Sequence, residues 1–387
     1  MKVLAVGGSG GMGRATVRTA LAYDFVSEVI VAGIDGELAE RFVASLKDPR
    51  ARNLHLDITD NQALRAAMRD VDVVLNSTGP FFRFGVPVLS AAIDEGKHYC
   101  DICDDWQPTL DMLALHERAR QNQIKAVIGL GASPGIINLL CVKAAQTLDK
   151  VDTLVSAWKL SGAVNDDDGF TPPPTAGHVD AAAVHLMHCL SEKIRVLRHG
   201  QFIDADPLEH SAIEFPGLGS LDVWSLGHPE AVTLVRRFPQ LQNCYNGMLG
   251  IDDIASDLRQ VASAVAMAHM SVDDAARLLA GEGGREARQA RLAEKDRADV
   301  PGALAFAAGY RNGQPATAGA YINHRPVGGM ATITGIPHAL FLPLLQNGNI
   351  KEFGVFAPEQ VIDPDTFFKL LDPFCGPQGA GLTVVTA

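Results

Sequence analysis

Two places in the chain gather side chains able to move protons. Asp101 ends the run His98-Tyr99-Cys100-Asp101 and is followed closely by Asp104 and Asp105, so carboxylates cluster just past a short apolar segment. A carboxylate in such a place can orient a substrate or take its proton; it can equally cap the following helix. Gly227-His228-Pro229-Glu230 sets an imidazole two residues before a carboxylate, the makings of a proton relay, with a loop histidine bonded to backbone as the plainer alternative. Asp101 and His228 are therefore the candidate catalytic groups. Asp104, Pro134, Gly135, His178, Glu230 and Arg325 are candidate substrate contacts. His178 stands with Asp180 at the start of an expected helix, and Arg325 can clasp a carboxylate bidentately or serve in a surface ion pair.

Two other patterns carry less. His98-x-Cys100-x-x-Cys103 has metal-ligating residue types, but a structural zinc site uses four ligands and no second close pair follows, so no metal is expected and the cysteines read as buried thiols. Gly131-Ala132-Ser133-Pro134-Gly135 has the outline of a hydrolase nucleophile turn, yet Pro134 removes the backbone N–H that an oxyanion hole needs.

The most specific pattern opens the chain. Gly8-Ser9-Gly10-Gly11-Met12-Gly13 fits G-x-G-x-x-G, preceded by an apolar strand at residues 2–6 and followed by a helix at 11–23. That context marks a dinucleotide fingerprint. Gly8 allows the tight turn, Gly10 lets a pyrophosphate approach the backbone, and Gly13 lets the helix pack on the strand, whose N-terminus then faces the phosphates. The ribose-reading position falls at Gly33, with the nearest acid displaced to Asp35. If Asp35 turns inward NAD is favoured; if it caps the next helix, Gly33 leaves room for the 2′-phosphate of NADP. The absence of Arg or Lys beside Gly33 tilts the expectation to NAD. Asp57 is placed either at the adenine edge or as a helix cap. The small-residue loops with Ser77, Thr78, Gly79, Pro80 and with Gly131, Ser133 follow later strands, where a cofactor lies against backbone.

The elements that must carry these residues alternate. Strands are expected at 2–6, 28–32, 54–56, 71–75, 98–101 and 126–130, with helices at 11–23, 37–46, 61–68, 86–95 and 110–121. Repeated units of this length predict an α/β fold: a doubly wound parallel sheet of Rossmann type. Beyond about 133 the texture changes to a mixed α+β region. A strand at 151–160, a Pro- and Asp-rich loop at 165–174, helices at 180–192 and 253–267, a loop at 214–220 and a charged helix or linker at 281–299 are expected there. So is a hairpin whose turn is Asn312-Gly313. The domains are set at 1–133 (dinucleotide-binding), 134–328 (substrate and dimerisation) and 329–387, a C-terminal segment with a helix at 329–346 that returns to the first domain.

With 387 residues, 47% hydrophobic and 20% charged, two or three domains with substantial cores are expected. A formal charge of −12 without a basic run argues against nucleic acid and an anionic membrane surface. No apolar run reaches the roughly 18–20 residues of a membrane span, and the longest apolar helix candidate, near 339–345, is broken by Pro343. With no secretory leader ahead of the first strand and six scattered cysteines, a cytoplasmic protein is expected.

In order along the chain, Gly7-Gly8-Ser9-Gly10-Gly11-Met12-Gly13, the Asn76…Gly79-Pro80 loop, Gly96-Lys97-His98-Tyr99-Cys100-Asp101, Gly129…Ser133-Pro134-Gly135, Phe215-Pro216-Gly217-Leu218-Gly219, Gly227-His228-Pro229-Glu230 and Gly354-Val355-Phe356-Ala357-Pro358-Glu359 resemble segments of the saccharopine dehydrogenase-like oxidoreductases. The likeness is to the bacterial branch with lysine 6-dehydrogenase and carboxynorspermidine dehydrogenase. It implies a homodimeric NAD(P)-dependent dehydrogenase or reductase acting on CH–NH or CH–NH2 donors: an amino acid, a polyamine or an opine-type secondary amine. On that implication Asp101 orients or deprotonates the amine. The acid or Arg usual after the second strand is missing, and the acidic loop 165–168 has no counterpart in the family pattern. A carbonyl or enoyl reductase of the same fold and a non-catalytic dinucleotide sensor are the alternatives.

Overall fold

A computed structural model describes residues 1–159, 170, 181–280 and 299–387. In chain order its strands are β1 (Lys2–Val6), β2 (Glu28–Gly33), β3 (Ala51–His55), β4 (Val73–Asn76), β5 (His98–Asp101), β6 (Lys125–Val127), β7 (Lys150–Lys159) and β8 (Ile194–Arg198). There follow β9 (Gln201–Ala205), β10 (His210–Phe215), β11 (Gly219–Leu226), β12 (Asn243–Leu249), β13 (Ala303–Arg311), β14 (Gln314–Ile322), β15 (Gly354–Phe356) and β16 (Leu382–Thr386). Among the described residues the chain forms two compact units. One holds 1–136, 170 and 324–380; the other holds 137–159, 181–280, 299–323 and 381–387.

The first unit is a seven-stranded sheet in the order β15-β6-β5-β4-β1-β2-β3, with every pairing parallel. This is the doubly wound Rossmann arrangement, with β15 added at one edge. Its central strands read as continuous apolar runs because both faces are covered: β1, β2 and β4 are almost wholly buried. Leu4, Val6, Ile30, Val74, Leu89 and Tyr99 lie in one core cluster, and each such large side chain contributes about 1.5–3 kcal/mol on burial. The crossover from β3 to β4 reverses the chain's direction of travel across the sheet, placing a topological switch point between β1 and β4.

Several elements differ from expectation. β3 is Ala51–His55 rather than 54–56; as an edge strand paired only with β2 it keeps polar residues outward, so no apolar run announced it. The helix expected at 86–95 runs Phe81–Asp94, and the one expected at 110–121 is two, Trp106–Leu113 and His116–Gln121. Pro343 does not break the apolar helix. Met330–Gln346 passes through Pro337 and Pro343, and residues 335 to 344 are all buried. Burial over that length outweighs the helix penalty of a proline, about 3 kcal/mol. This helix packs on Gly11–Leu21, where a Cβ on Gly335 would lie 2.4 Å from Met12 O.

The second unit is built on a mixed nine-stranded sheet in the order β10-β11-β12-β7-β13-β14-β16, with β8 pairing both β12 and β9. Only β12 and β7 run parallel. The expected hairpin is present as β13–β14, with Asn312 at φ 51° and Gly313 at φ 73°, the left-handed pair a type I′ turn requires. Of the loop expected at 214–220 only 216–218 is a turn, because Glu214 pairs with Ser220 and Phe215 with Gly219 in the β10–β11 hairpin. Of the C-terminal segment, β15 joins the parallel sheet and β16 pairs with β14. The 165–174 loop (Phe170 apart), His178, Asp180 and the stretch 281–298 lie outside the described residues. No helix among the described residues is long and apolar enough to cross a membrane.

Candidate functional site

The glycine turn leaves β1 and enters the helix Gly11–Leu21 at the switch point. Gly7 and Gly8 both present N–H to Ala32 O, at 2.8 and 3.3 Å. The positive φ of this turn, 73°, falls on Gly7. Gly8 is needed for a different reason, because a Cβ there would meet Ala5 O at 2.8 Å. Gly13 serves close packing as expected: its Cβ would stand 2.1 Å from Gly7 O. Gly10 and Gly11 are exposed, Met12 is half-buried and Ser9 is buried. Ser9 O accepts from the buried Arg14 Nη1 at 2.8 Å, which holds the turn against its helix. No side chain caps this helix and no acid stands in its first turn, so its N-terminal N–H groups and dipole suit an anion.

The loop after β4 lies against that turn. Ser77 Oγ donates to Val6 O at 3.1 Å, and Thr78 N donates to Asn76 Oδ1 at 3.0 Å. A Cβ on Gly7 would come within 2.7 Å of Thr78 Oγ1. That hydroxyl is buried without a hydrogen-bond partner among the described residues. A bare glycine turn, an uncapped helix N-terminus and a buried hydroxyl with hydrogen-bonding capacity to give fit a dinucleotide phosphate chain with its nicotinamide beyond.

Comparison with known proteins agrees. Residues 3–127 match the family model described as saccharopine dehydrogenase NADP binding domain. A carboxyaminopropylagmatine dehydrogenase of Synechocystis sp. is 23% identical over 398 residues, covering 96% of this chain and 95% of its own. The structure of apo saccharopine dehydrogenase (L-Glu forming) from Saccharomyces cerevisiae has the same fold. It matches at a TM-score of 0.63 and 17% identity, with 100% of this chain and 99% of that chain covered. Residues 3–127 are thus similar to the saccharopine dehydrogenase NADP binding domain, and the chain along most of its length to a carboxyaminopropylagmatine dehydrogenase. The first unit binds a nicotinamide dinucleotide.

Both acids near the expected adenosine end are engaged locally. Asp35 caps the helix Gly36–Leu46, accepting from Leu38 N at 2.9 Å. Asp57 accepts from Thr59 N at 2.9 Å and Thr59 Oγ1 at 2.7 Å, bonds that hold its carboxyl below the usual range. Gly33 is half-buried at the end of β2, with Ser9 Oγ 3.3 Å from where its Cβ would be.

Asp101 is fully buried. Its Oδ1 accepts from Gly129 N at 2.7 Å and Cys103 N at 3.0 Å, and its Oδ2 from Tyr99 Oη at 2.8 Å. Tyr99 Oη in turn accepts from Asn76 Nδ2 at 3.0 Å. This chain of bonds ties together the carboxyl ends of β4 and β5 and the loop after β6. Burial pushes the Asp101 carboxyl up to about 6, opposed by its three donors and helped by the nearby charge of Asp104. Asp104 is half-buried, in the loop that the Asp101–Cys103 bond holds.

After β6, Gly129 has φ 72° and Gly135 φ 122°. Gly131 N donates to Pro134 O at 2.9 Å, and a Cβ on Gly135 would meet Gly131 O at 2.1 Å, so only glycine closes this loop. Gly131, Pro134 and Gly135 are buried and Ser133 half-buried; Gly79 and Pro80 are half-buried after β4. Arg325 is exposed, on the segment that returns to the first unit. All six cysteines are buried and none forms a disulfide. His98 Nδ1 accepts from Lys125 N at 3.1 Å.

In the second unit His228 and Glu230 are buried, with His228 Nδ1 4.0 Å from Glu230 Oε2. Burial first, and then His185, drive His228 well below its ordinary value. Its Nε2 lies 3.2 Å from His185 Nε2, on the helix Ala181–Ser191, and Cys189 Sγ lies 3.3 Å from that same His185 atom. Sequence reasoning missed His185 and Cys189; their i, i+4 spacing on an expected helix was the available signal. It also missed the buried His338. Its Nε2 is 3.0 Å from Cys100 O and its Nδ1 3.3 Å from Thr16 Oγ1, which joins the Met330–Gln346 helix to β5 and to the helix of the glycine turn.

Proposed function

We propose that this protein is an NAD(P)-dependent dehydrogenase that transfers hydride at the C–N bond of an amine, with a carboxylated secondary amine of polyamine type as the preferred substrate class. The observation that carries this reading is the bonding of Asn76, Tyr99, Asp101 and Gly129 at the switch point. It holds three strand ends beside the glycine turn in a chain similar along 96% of its length to a carboxyaminopropylagmatine dehydrogenase.

A bound dinucleotide supplies the hydride acceptor. The protein has to hold the amine nitrogen and receive its proton. Asp101 is a positioning residue in this scheme, because both its oxygens accept from protein donors. Asp104 is the nearer choice for the carboxylate that meets the substrate nitrogen: it is half-buried, beside Asp101, at the carboxyl end of β5. Ser133 and Gly135 border the same end of the sheet, and Arg325 is the candidate guanidinium for the substrate carboxylate. His228 is not assigned the relay, since its Nε2 faces His185. With Asp35 capping a helix and no side chain at Gly33, no carboxylate contests a 2′-phosphate, which supports NADP as the better cofactor against the sequence-based tilt to NAD. The family resemblance supports a cytoplasmic homodimer, which sedimentation at the dimer mass would bear out.

The test is absorbance at the reduced-nicotinamide band. Purified protein is mixed with NADP or NAD and a panel of amino acids, polyamines and N-carboxyalkyl amines at alkaline pH, where the amines are unprotonated. A rise with a secondary amine is expected, and Asp104→Ala should lower kcat/KM by about 100-fold while cofactor binding persists. Cofactor binding without turnover of any amine, or turnover of carbonyl compounds alone, would overturn the reading.

A further inference from the structure

His185 and Cys189 stand one helical turn apart on Ala181–Ser191, so both side chains project from the same face. His228 comes from the loop between β11 and the helix Glu230–Arg237, a separation of 43 residues in sequence. One ligand-type atom from each of the three lies within 4.8 Å of the others. The closest approaches are 3.2 Å between the two Nε2 atoms and 3.3 Å between Cys189 Sγ and His185 Nε2.

These spacings have a chemical meaning. Zinc–nitrogen bonds of about 2.0–2.1 Å and zinc–sulfur bonds of about 2.3 Å make the edges of a tetrahedron about 3.3 Å (N to N) and about 3.6 Å (N to S). The observed distances fall within a few tenths of an ångström of both. The surroundings match as well. His228 turns its other ring nitrogen, Nδ1, toward the buried Glu230 carboxylate at 4.0 Å, in the direction of the carboxylate–histidine–metal relation that fixes a ligand's orientation. Trp158 lies beside the His228 ring, with centroids 5.9 Å apart, and shields it.

We propose that His185, Cys189 and His228 form a site for a divalent transition metal ion, zinc foremost. Three protein ligands hold the ion and a fourth position is left for water or an anionic group. Binding involves no redox change. The Cys189 thiol gives its proton to solvent as the Sγ–metal bond forms, and both imidazoles bind as neutral rings. The donor set, two imidazoles and one thiolate, suits Zn(II) and Co(II) and disfavours Mg and Ca. This replaces the expectation, drawn from His98, Cys100 and Cys103, that the chain holds no metal. It does not rest on the hydride-transfer reading.

The experiment uses full-length protein without an affinity tag, stripped by chelator and titrated with Co(II), then with Zn(II) as competitor. One equivalent per chain is expected, with a thiolate-to-cobalt charge-transfer band in the near ultraviolet and visible bands of four-coordinate intensity, both removed by zinc. Cys189→Ser should abolish the charge-transfer band and weaken binding by about 100-fold or more, and Glu230→Gln by about 10-fold. His210→Ala, at an exposed pair with Asp222, is the control that keeps full binding. If Cys189→Ser fails to fold by circular dichroism, the wild-type cobalt spectrum decides alone. Wild-type protein that shows no charge-transfer band at saturating Co(II), or a folded Cys189→Ser that binds as wild type, would overturn the site.

Discussion

Asp101 Oδ1 accepts the backbone N–H of Gly129 at 2.7 Å, so a buried carboxylate at the end of β5 holds the start of the loop that follows β6. The same oxygen takes Cys103 N and the other takes Tyr99 Oη, which makes one side chain the anchor of two loops.

Removing the charge of this anchor should change how stability depends on pH. The folded carboxyl sits at about 6, above the ordinary unfolded value of about 3.9. A raised carboxyl contributes stability that is present below the unfolded value and lost as pH climbs through the folded one. Wild type should therefore lose about 2 kcal/mol relative to Asp101→Asn between pH 4 and pH 7. Urea melts of both proteins across that range would check it; parallel curves would sink the idea. Asp101→Ala should lower stability at every pH, since three donors lose their acceptor.

His338 acts in the opposite window. Burial lowers its imidazole to about 4, against about 6.5 when unfolded. A depressed histidine gives stability that is present above pH 6.5 and lost as pH falls toward 4, because the unfolded chain takes up the proton first. Relative to His338→Gln, wild type should lose about 2 kcal/mol from pH 7 to pH 5. The same denaturant series reads this out, and equal losses in the two proteins would refute it.

The glycine turn makes a contrast between neighbours. Gly13→Ala drives a methyl into Gly7 O, backbone against backbone, whereas Gly11→Ala meets nothing within 4 Å. Gly13→Ala should weaken reduced-dinucleotide binding by about 100-fold, and Gly11→Ala by far less, as measured by nicotinamide fluorescence. Equal effects would show that helix-to-turn distance does not govern the site.

Cofactor choice should respond at Gly33. A carboxylate introduced there by Gly33→Asp stands where the ribose 2′ position is read, so NADPH affinity should fall by about 100-fold and NADH affinity little. Asp35→Ala should leave the ratio of the two affinities unchanged and cost about 1 kcal/mol through the lost helix cap. A shift in that ratio on Asp35→Ala would mean that Asp35 reads the ribose after all.

The sequence by itself determined the nucleotide-binding half with little ambiguity. Glycine spacing, strand–helix alternation and continuous apolar strands are local signals, and local sterics enforce them: Gly13 must lack a Cβ whatever surrounds it, and Asn312-Gly313 supplies the two left-handed residues that its hairpin needs. Tertiary structure decided the rest, because those outcomes depend on partners distant in the chain. Pro337 and Pro343 sit inside a helix only because neighbours bury it. β3 exists because β2 offers it an edge. Asp101, legible as a carboxylate at a strand end, became a buried anchor once Gly129 was brought 2.7 Å from it. His228, legible as a proton relay, was instead brought nose to nose with a histidine 43 residues away. Residue types announce what chemistry a chain can do, but burial and approach across the fold set which groups remain charged, which are used up on backbone donors, and which can meet a ligand.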